Sequence, residues 1–421
     1  MAVTASRQLA RRLAELGRIS DERGRLTRTF LSPAMRRANA RIAAWMRAAG
    51  LSVREDAVGN VIGRLEGAKP NAKTLVLGSH LDTVRDAGRF DGALGVLLPI
   101  AALGELRRRR RALPFAVEVA GFSEEEGVRF SSAYLGSKGY TGQLRAADLK
   151  RRDAAGVSVR EAMQRWSALS STRLASNGKR AGDHALHRGQ LLGYLEVHIE
   201  QGPVLEREKL AVGVVSAIAG QTRVRITFRG EAGHAGTTPM ALRRDALTGA
   251  AEFIVATEGV ARASAPLVAT VGTLEIASAA PNVIPGKVAL SLDVRHPHDG
   301  SRAAALKLLR TAAKKISRMR GLTFEWIVTQ ENGAVACSPR LRAKLERSVR
   351  AVQRRTLSLV SGAGHDAVTM STVTDVAMLF VRCRGGLSHH PDEYASPADI
   401  DVALAVVVDF LQRLGESSHE K

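Results

Sequence analysis

Aromatic residues make up only 4% of this 421-residue chain, so stacked rings cannot dominate its core. Leu, Val, Ile and Ala must fill it instead, and a hydrophobic content of 45% is ample for that. Cysteine is nearly absent. Cys337 and Cys383 alone give no disulfide framework and suit a reducing cytosol, which points to a cytoplasmic protein. No run of about 18 uncharged apolar residues occurs, so nothing is expected to span a membrane. Acidic residues are in the minority, 41 against 62 Lys and Arg, for a net charge of +21. Such a surplus raises a nucleic-acid partner. The cations are spread along the whole chain, however, and Arg107 to Arg111 is the one dense run. That run closes an apolar helix-like segment, Val96 to Leu106, where cations complement a helix C-terminus. Without interleaved aromatics or a nucleic-acid motif, the expectation is no nucleic acid and a charge that draws in small anions.

The length exceeds the usual single core, so two domains are expected. The N-terminal stretch ASRQLARRLAELGRIS is Arg-rich and amphipathic, which raises a transit segment. Glu15 and Asp21 dilute it, and the Leu9, Leu13, Leu16 stripe favours a folded helix. Ser32-Pro33 reads as an N-cap and first helical position, and Gly50 as the stop. Strands follow at LSVRED, NVIGRLEG, KTLVLGSH, PFAVEVAGF and YLEVHIEQG, with a helix from Gly92 to Leu106. Residues 145–190 read as polar and helical, without nameable chemistry. From about Leu210 the strands AVGVVSAIAG, TRVRITFRG, LVATVGTLEI and KVALSLDVR alternate with period 2, interrupted by helices near 239–263 and 301–320. This order predicts an inserted α+β sandwich over 210–330, within a mixed α/β domain made of 1–209 and 331–421. The last six residues are expected to fray.

Chemistry-bearing residues cluster at the ends of apolar runs. GSHLDTV (78–84) carries His80 and Asp82, which would share one face of an extended strand, so that Asp82 can orient the His80 ring. FDGALGV (90–96) adds Asp91 before a glycine. Glu124, Glu125 and Glu126 follow a strand; three adjacent carboxylates are usually a solvated turn, but beside a dication one can ligate and a neighbour stay free as a base. Sequence does not divide those roles. His198 sits in an apolar strand where a lone His is more often packed in the core, and the following Glu-Gln-Gly tips it toward function. GGLSHHPDEY offers His389 and His390, one of them merely exposed. Zinc and manganese take this mixture of imidazole nitrogen and carboxylate oxygen. In the insert, His234 lies in the glycine-rich turn GHAGTTP, Asn282 in APNVIPG, and Arg295 ends a strand. A guanidinium suits a substrate carboxylate, with a surface salt bridge as the alternative. His365, in GAGHDA, is either substrate-facing or structural.

GSHLDTV, FDGALGV, EEEGVRF, HIEQGPVLE, GHAGTTPM, PNVIPG, SGAGHDA and GGLSHHP together resemble the M20 metallopeptidase-like superfamily. The resemblance covers residues 25–412, and specifically the amidase branch of N-carbamoyl-L-amino acid hydrolases, ureido hydrolases and allantoate amidohydrolases. It implies an α/β fold: a mixed-sheet di-metal catalytic domain with an inserted two-layer α+β domain that acts as lid and makes a homodimer. It implies two divalent ions, manganese or zinc, with His80 and His198 on one, Glu126 and His389 on the other, and Asp91 bridging. Glu125 matches the general base and Asp82 the residue orienting His80. His234, Asn282 and Arg295 match substrate-binding positions, with Gln221 and Arg223 as additions, and His234 can serve the neighbouring protomer. The implied reaction is hydrolysis of a linear amide or ureido C–N bond in a small anionic substrate, with domain closure before chemistry. RTFLSPAMRRAN, GVVSAIAGQTR and MLFVRCRGG look most like allantoate amidohydrolases, whose products are ureidoglycine, ammonia and carbon dioxide. The alternative is an N-carbamoyl-L-amino acid substrate. The wording of HIEQGP and GHAGTTPM argues against a dipeptidase or aminoacylase, and the complete ligand set argues against a basic nucleic-acid module without catalysis.

Overall fold

The computed structural model describes residues 5–169 and 188–416. Part of the polar stretch 145–190 and nearly all of the last six residues lie outside the described residues. Two compact units emerge. The first holds the described residues up to Ser216, Cys337–Leu359 and those from Gly364 on; the second holds Ala217–Ala336 and Val360–Ala363.

In chain order, the first unit opens with α1 (Ala5–Leu16) and α2 (Pro33–Ala48). Leu9, Leu13 and Leu16 are buried on one side of α1 and belong to the main core. The Arg-rich N-terminal stretch thus contains a packed helix. Ser32 caps α2 by accepting the Met35 N–H, with Pro33 at the first helical position. There follow β1 (Ser52–Glu55), β2 (Val61–Leu65), β3 (Thr74–His80), α3 (Ala93–Arg108), β4 (Ala116–Phe122), β5 (Leu191–Ile199) and β6 (Val212–Ile218). The arginine run completes the last turn of α3, where Glu105 pairs with Arg108 and Arg109. In the second unit come β7 (Gly220–Arg229), α4 (Ala246–Ala263), β8 (Val268–Ile276), β9 (Lys287–His296), α5 (Asp299–Met319) and β10 (Thr323–Asn332). The chain then returns through α6 (Pro339–Gln353), β11 (Val376–Val381) and α7 (Pro397–Glu416).

Among the described residues, the large sheet has nine strands and runs β1-β2-β4-β3-β5-β11-β6, with the short strands Val335–Ala336 and Ser358–Ser361 beside β6. β4, β3, β5 and β11 run parallel to one another, whereas β1, β2 and β6 join the sheet by antiparallel pairing. Every residue of β3, β4 and β11 is buried, which is why these strands read as continuous apolar runs rather than alternating ones. Parallel pairing has a direct consequence. His80 registers with Phe122, and Phe380 with His198, so the carboxyl ends of β3, β4 and β5 open on one edge. Ligand sites in such sheets lie beyond that edge.

The second unit is a four-stranded antiparallel sheet, β10-β7-β9-β8. Val224, Ile226, Phe228, Val288, Leu290 and Leu292 form its apolar face, packed with residues of α4 and α5. One segment differs from expectation. AVGVVSAI alternates like the insert's strands, yet β6 hydrogen-bonds to β11 in the large sheet, with Val214 opposite Leu379. Period 2 identifies a strand but not its partner, so the unit boundary falls at 217 rather than 210 and the return at 337 rather than 331. The chain leaves and re-enters the first unit at adjacent points: the Cys337 N–H donates to the Ser216 carbonyl at 3.0 Å.

Candidate active site

The edge of the parallel strands gathers His80, Asp91, Glu125, Glu126, His198 and His389. Their side-chain donors form three overlapping groups capable of holding an ion: His80/Asp91/His198, Asp91/Glu126/His389 and His80/Glu125/Glu126. Asp91 is divided between the first two. Its Oδ1 lies 3.2 Å from both His80 Nε2 and His198 Nε2, and its Oδ2 lies 3.5 Å from His389 Nε2. His389 Nε2 is 3.4 Å from Glu126 Oε1. A tetrahedral ion with bonds of about 2.1 Å has ligand–ligand edges of about 3.4 Å, so the spacing fits borderline divalent ions.

Proton placement supports the same fit. His80 Nδ1 lies 3.0 Å from the Asp82 carbonyl, and His198 Nδ1 lies 2.9 Å from the Ile199 carbonyl. A carbonyl only accepts, so each Nδ1 carries hydrogen, and Nε2 is the ring atom facing Asp91, free to bind a proton or an ion there. An imidazole nitrogen facing a carboxylate oxygen is favourable with a proton or a metal ion between them. Against the opposing effect of burial, Asp82 and Asp91 push His80 well up and Asp91 pushes His198 up, so both rings draw positive charge to this point. Carboxylates crowd the same edge. Burial pushes the Glu125 and Glu124 carboxyls well up, and burial together with the Asp91 charge pushes Glu126 up to about 8. This is a donor set short of positive charge.

Local structure explains the placement. β3 ends at His80, so Asp82 lies beyond the strand; the expected i, i+2 alignment on one strand face does not apply. Asp82 instead turns back, with Oδ1 3.4 Å from His80 Nδ1. It also accepts the Glu125 N–H at 2.9 Å and the Glu126 N–H at 3.1 Å, tying the end of β3 to the loop after β4. Gly92 has φ +65°, and a Cβ there would lie 2.5 Å from the His80 ring, so only glycine lets α3 start against this histidine. Of the three glutamates, Glu124 turns inward and accepts the Gly127 N–H at 2.6 Å. His390 stays outside the groups, its Nδ1 accepting the Asp392 N–H. His365 packs against the His198 ring at 4.6 Å, and burial holds it well below the usual imidazole range, as a neutral ring.

Several surrounding residues were not singled out by sequence reasoning. Buried Glu196 accepts from Ser79 Oγ at 2.7 Å and the Ala367 N–H at 2.9 Å. Its position two residues before His198 on one strand was an available signal. Gln201, Ser388 and Glu393 surround Asp91, and only a long-range fold could reveal that.

The remaining candidates lie in the second unit. Gln221 registers with Arg295 and Arg223 with Asp293 across β7 and β9. All three converge on Asp293: Gln221 Nε2 at 2.6 Å, Arg223 Nε at 3.0 Å, and Arg295 by two bonds of 2.9 and 3.0 Å. Arg295 therefore is in an ion pair, while part of its five-donor fork remains. Burial alone would raise the Asp293 carboxyl, but its bonds from Arg295 and Arg223 hold it below the usual range. His234 is exposed, and its Nδ1 accepts the Gly236 N–H at 3.1 Å, which leaves Nε2 as the donor of the neutral ring. Asn282 is exposed too, and its carbonyl accepts the Ala235 N–H, joining the two turns.

A parallel-strand edge that presents imidazoles and carboxylates around a shared aspartate defines a class, that of the metal-dependent hydrolases built on mixed sheets. The match is specific. The model of Peptidase family M20/M25/M40 fits residues 76–413, and the chain belongs to that family. It is 40% identical over 430 residues to the allantoate deiminase of Arabidopsis thaliana, covering 95% of this chain and 81% of the relative. It is 37% identical over 413 residues to an N-carbamoyl-L-amino-acid amidohydrolase of Pseudomonas sp. (strain NS671), covering 97% and 98%. Among solved structures, an amidase of the hydantoinase/carbamoylase family from Burkholderia multivorans superposes with a TM-score of 0.90 at 32% identity, covering 97% and 98% of the two chains.

Proposed function

We propose that this protein is a two-ion amidohydrolase that cleaves a linear ureido C–N bond, with allantoate as substrate and ureidoglycine, ammonia and carbon dioxide as products. One observation carries the reading: the Asp91 carboxylate presents Oδ1 to His80 and His198, and Oδ2 to His389, beside Glu126. In this reading His80 and His198 hold one divalent ion, Glu126 and His389 the other, and Asp91 both; manganese and zinc suit the donors equally. Bound there, the ions supply positive charge that acidifies water and polarises a carbonyl. Glu125 takes the proton of the attacking water and returns it to the leaving nitrogen. Its burial, which raises its affinity for a proton, supports that role. Asp82 keeps Glu125 in place through the backbone bonds it accepts.

For the second unit we propose substrate binding. His234 Nε2 and the Asn282 amide are donors suited to a developing oxyanion, and Arg295, with Gln221 and Arg223, suits a carboxylate. We also propose that this unit is the lid and carries the homodimer contact. We place the protein in the cytoplasm on its two free, buried cysteines. No described helix is long and apolar enough to cross a membrane.

The choice of allantoate rests on similarity to the plant deiminase, and the second reading, an N-carbamoyl-L-amino acid, on similarity to the bacterial amidohydrolase. Ammonia release with added manganese, on allantoate beside several N-carbamoyl-L-amino acids, separates them. Allantoate is expected to be turned over fastest. Turnover of the carbamoyl substrates alone would replace the substrate and keep the chemistry. Failure to bind metal in the wild type, or full activity of His80→Ala, would remove the two-ion reading.

A further inference from the structure

Asp91 can serve two ligand groups only if its carboxylate plane is fixed, and a free carboxylate rotates about its own χ2. Two side chains outside the ligand set restrain that rotation, and a third fixes the backbone that carries it. Ser388 Oγ lies 2.7 Å and Gln201 Nε2 lies 2.8 Å from Asp91 Oδ2. Glu393 holds the backbone instead: its Oε1 accepts the Phe90 N–H at 2.8 Å and the Asp91 N–H at 3.0 Å. Ser388 Oγ also lies 3.1 Å from Glu393 Oε2. A hydroxyl has one proton, and its nearer acceptor is Asp91.

The site around Glu393 is built for it. Glu393 is 3% exposed. A Cβ at Gly88 would lie 2.3 Å from the Glu393 Cβ, so the preceding loop is shaped around this side chain. Ser388 directly precedes His389, and Glu393 follows it by four residues. The same short segment that delivers the exposed histidine therefore also orients the shared carboxylate. All of these bonds reach Oδ2 or the backbone, whereas Oδ1 faces only His80 and His198 among the ion-pairing contacts.

We propose that Ser388 and Glu393 are positioning residues for the Asp91 carboxylate, and that they govern the Glu126/His389 pocket more than the His80/His198 pocket. This rests on the two-ion reading above. Residues that orient metal ligands are worth about 10- to 100-fold in metal affinity. Loss of the Ser388 hydroxyl should therefore weaken one ion and leave the other.

The test is manganese binding by equilibrium dialysis with metal analysis, on the full chain stripped by chelator. The expected wild-type result is two equivalents. Ser388→Ala is expected to keep its first equivalent within about threefold and to lose about 10- to 100-fold in affinity for the second. Its kcat should return at high manganese. Glu393→Ala is expected to do the same, while Glu393→Gln, which keeps an acceptor for both backbone N–H groups, restores most of the second affinity. A merely structural role would lower the melting temperature without this asymmetry or its reversal by manganese. Equal weakening of both equivalents, or no weakening in Ser388→Ala, would overturn the proposal; should Glu393→Ala fail to fold, Ser388→Ala decides alone. Fewer than two equivalents in the wild type would instead overturn the two-ion reading beneath it.

Discussion

The two units handle charge in opposite ways. The first buries Glu124, Glu125, Asp91 and Asp82 and half-buries Glu126 beside two histidines, with no lysine or arginine ion-paired to any of them among the described residues. The second keeps Arg223, Arg295 and Gln221 partly in solvent and closes them on a single carboxylate, Asp293. Burying anions is costly unless something positive joins them. The first arrangement therefore draws positive charge, as protons or a metal ion, to its donor atoms, whereas the second carries one guanidinium more than its carboxylate and leaves that excess to water. An unbalanced buried cluster is the stronger sign of a ligand, because a protein can leave exposed charge to water.

Three perturbations sharpen this contrast. The largest effect is expected from Glu125→Gln, which should lower kcat by about 10²- to 10⁴-fold, the usual value of a positioned base. Bound manganese should stay at the wild-type level. Near-normal turnover would move the base elsewhere. In the second unit, Asp293→Asn should free both guanidiniums and raise KM for a carboxylate substrate roughly 3- to 10-fold, with kcat little changed, as expected for loss of uniform binding. An unchanged KM would mean that Asp293 orders nothing the substrate uses.

The smallest effect concerns pH. Burial pushes the Asp56 carboxyl in the first unit up to about 6, against bonds from Asn60 and the charge of Arg54. Its folded pKa exceeds the unfolded one, so its stabilising contribution is present in acid and is lost as pH rises toward about 6. Asp293 is depressed, so its contribution is present above the ordinary carboxylate range and is lost as pH falls through it. Between about pH 4 and 6.5, Asp56→Asn should gain ~1 kcal/mol on the wild type in denaturant melts, a discounted figure because Asp56 retains some solvent contact. Asp293→Asn should show no such drift in that range. Parallel curves for Asp56→Asn and wild type would refute the assignment.

The metal-ligand candidates were legible because strand ends are legible. β3 stops at His80 and β4 stops just before Ser123 and the glutamates, as the apolar runs suggest. Division of labour among the three glutamates was not legible, since it depends on which carboxylate the loop turns inward; Glu124 answers to Gly127. Asp82 lies beside His80 as the spacing suggests, but it reaches the ring from a turn, and its shorter bonds go to the backbone of Glu125 and Glu126. Asp293 was passed over because its function is to collect partners from two strands 70 or so residues apart. β6 was misgrouped for the same reason, since pairing across 165 residues leaves no local trace.

The hydrogen bond between Cys337 and Ser216 has a consequence for engineering. Where a chain exits and returns through neighbouring backbone positions, a short turn can replace everything between them. Such a splice would yield a truncated scaffold that still contains every histidine and acid around Asp91. It would offer a compact host for designed ion chemistry, onto which an unrelated recognition module could be grafted.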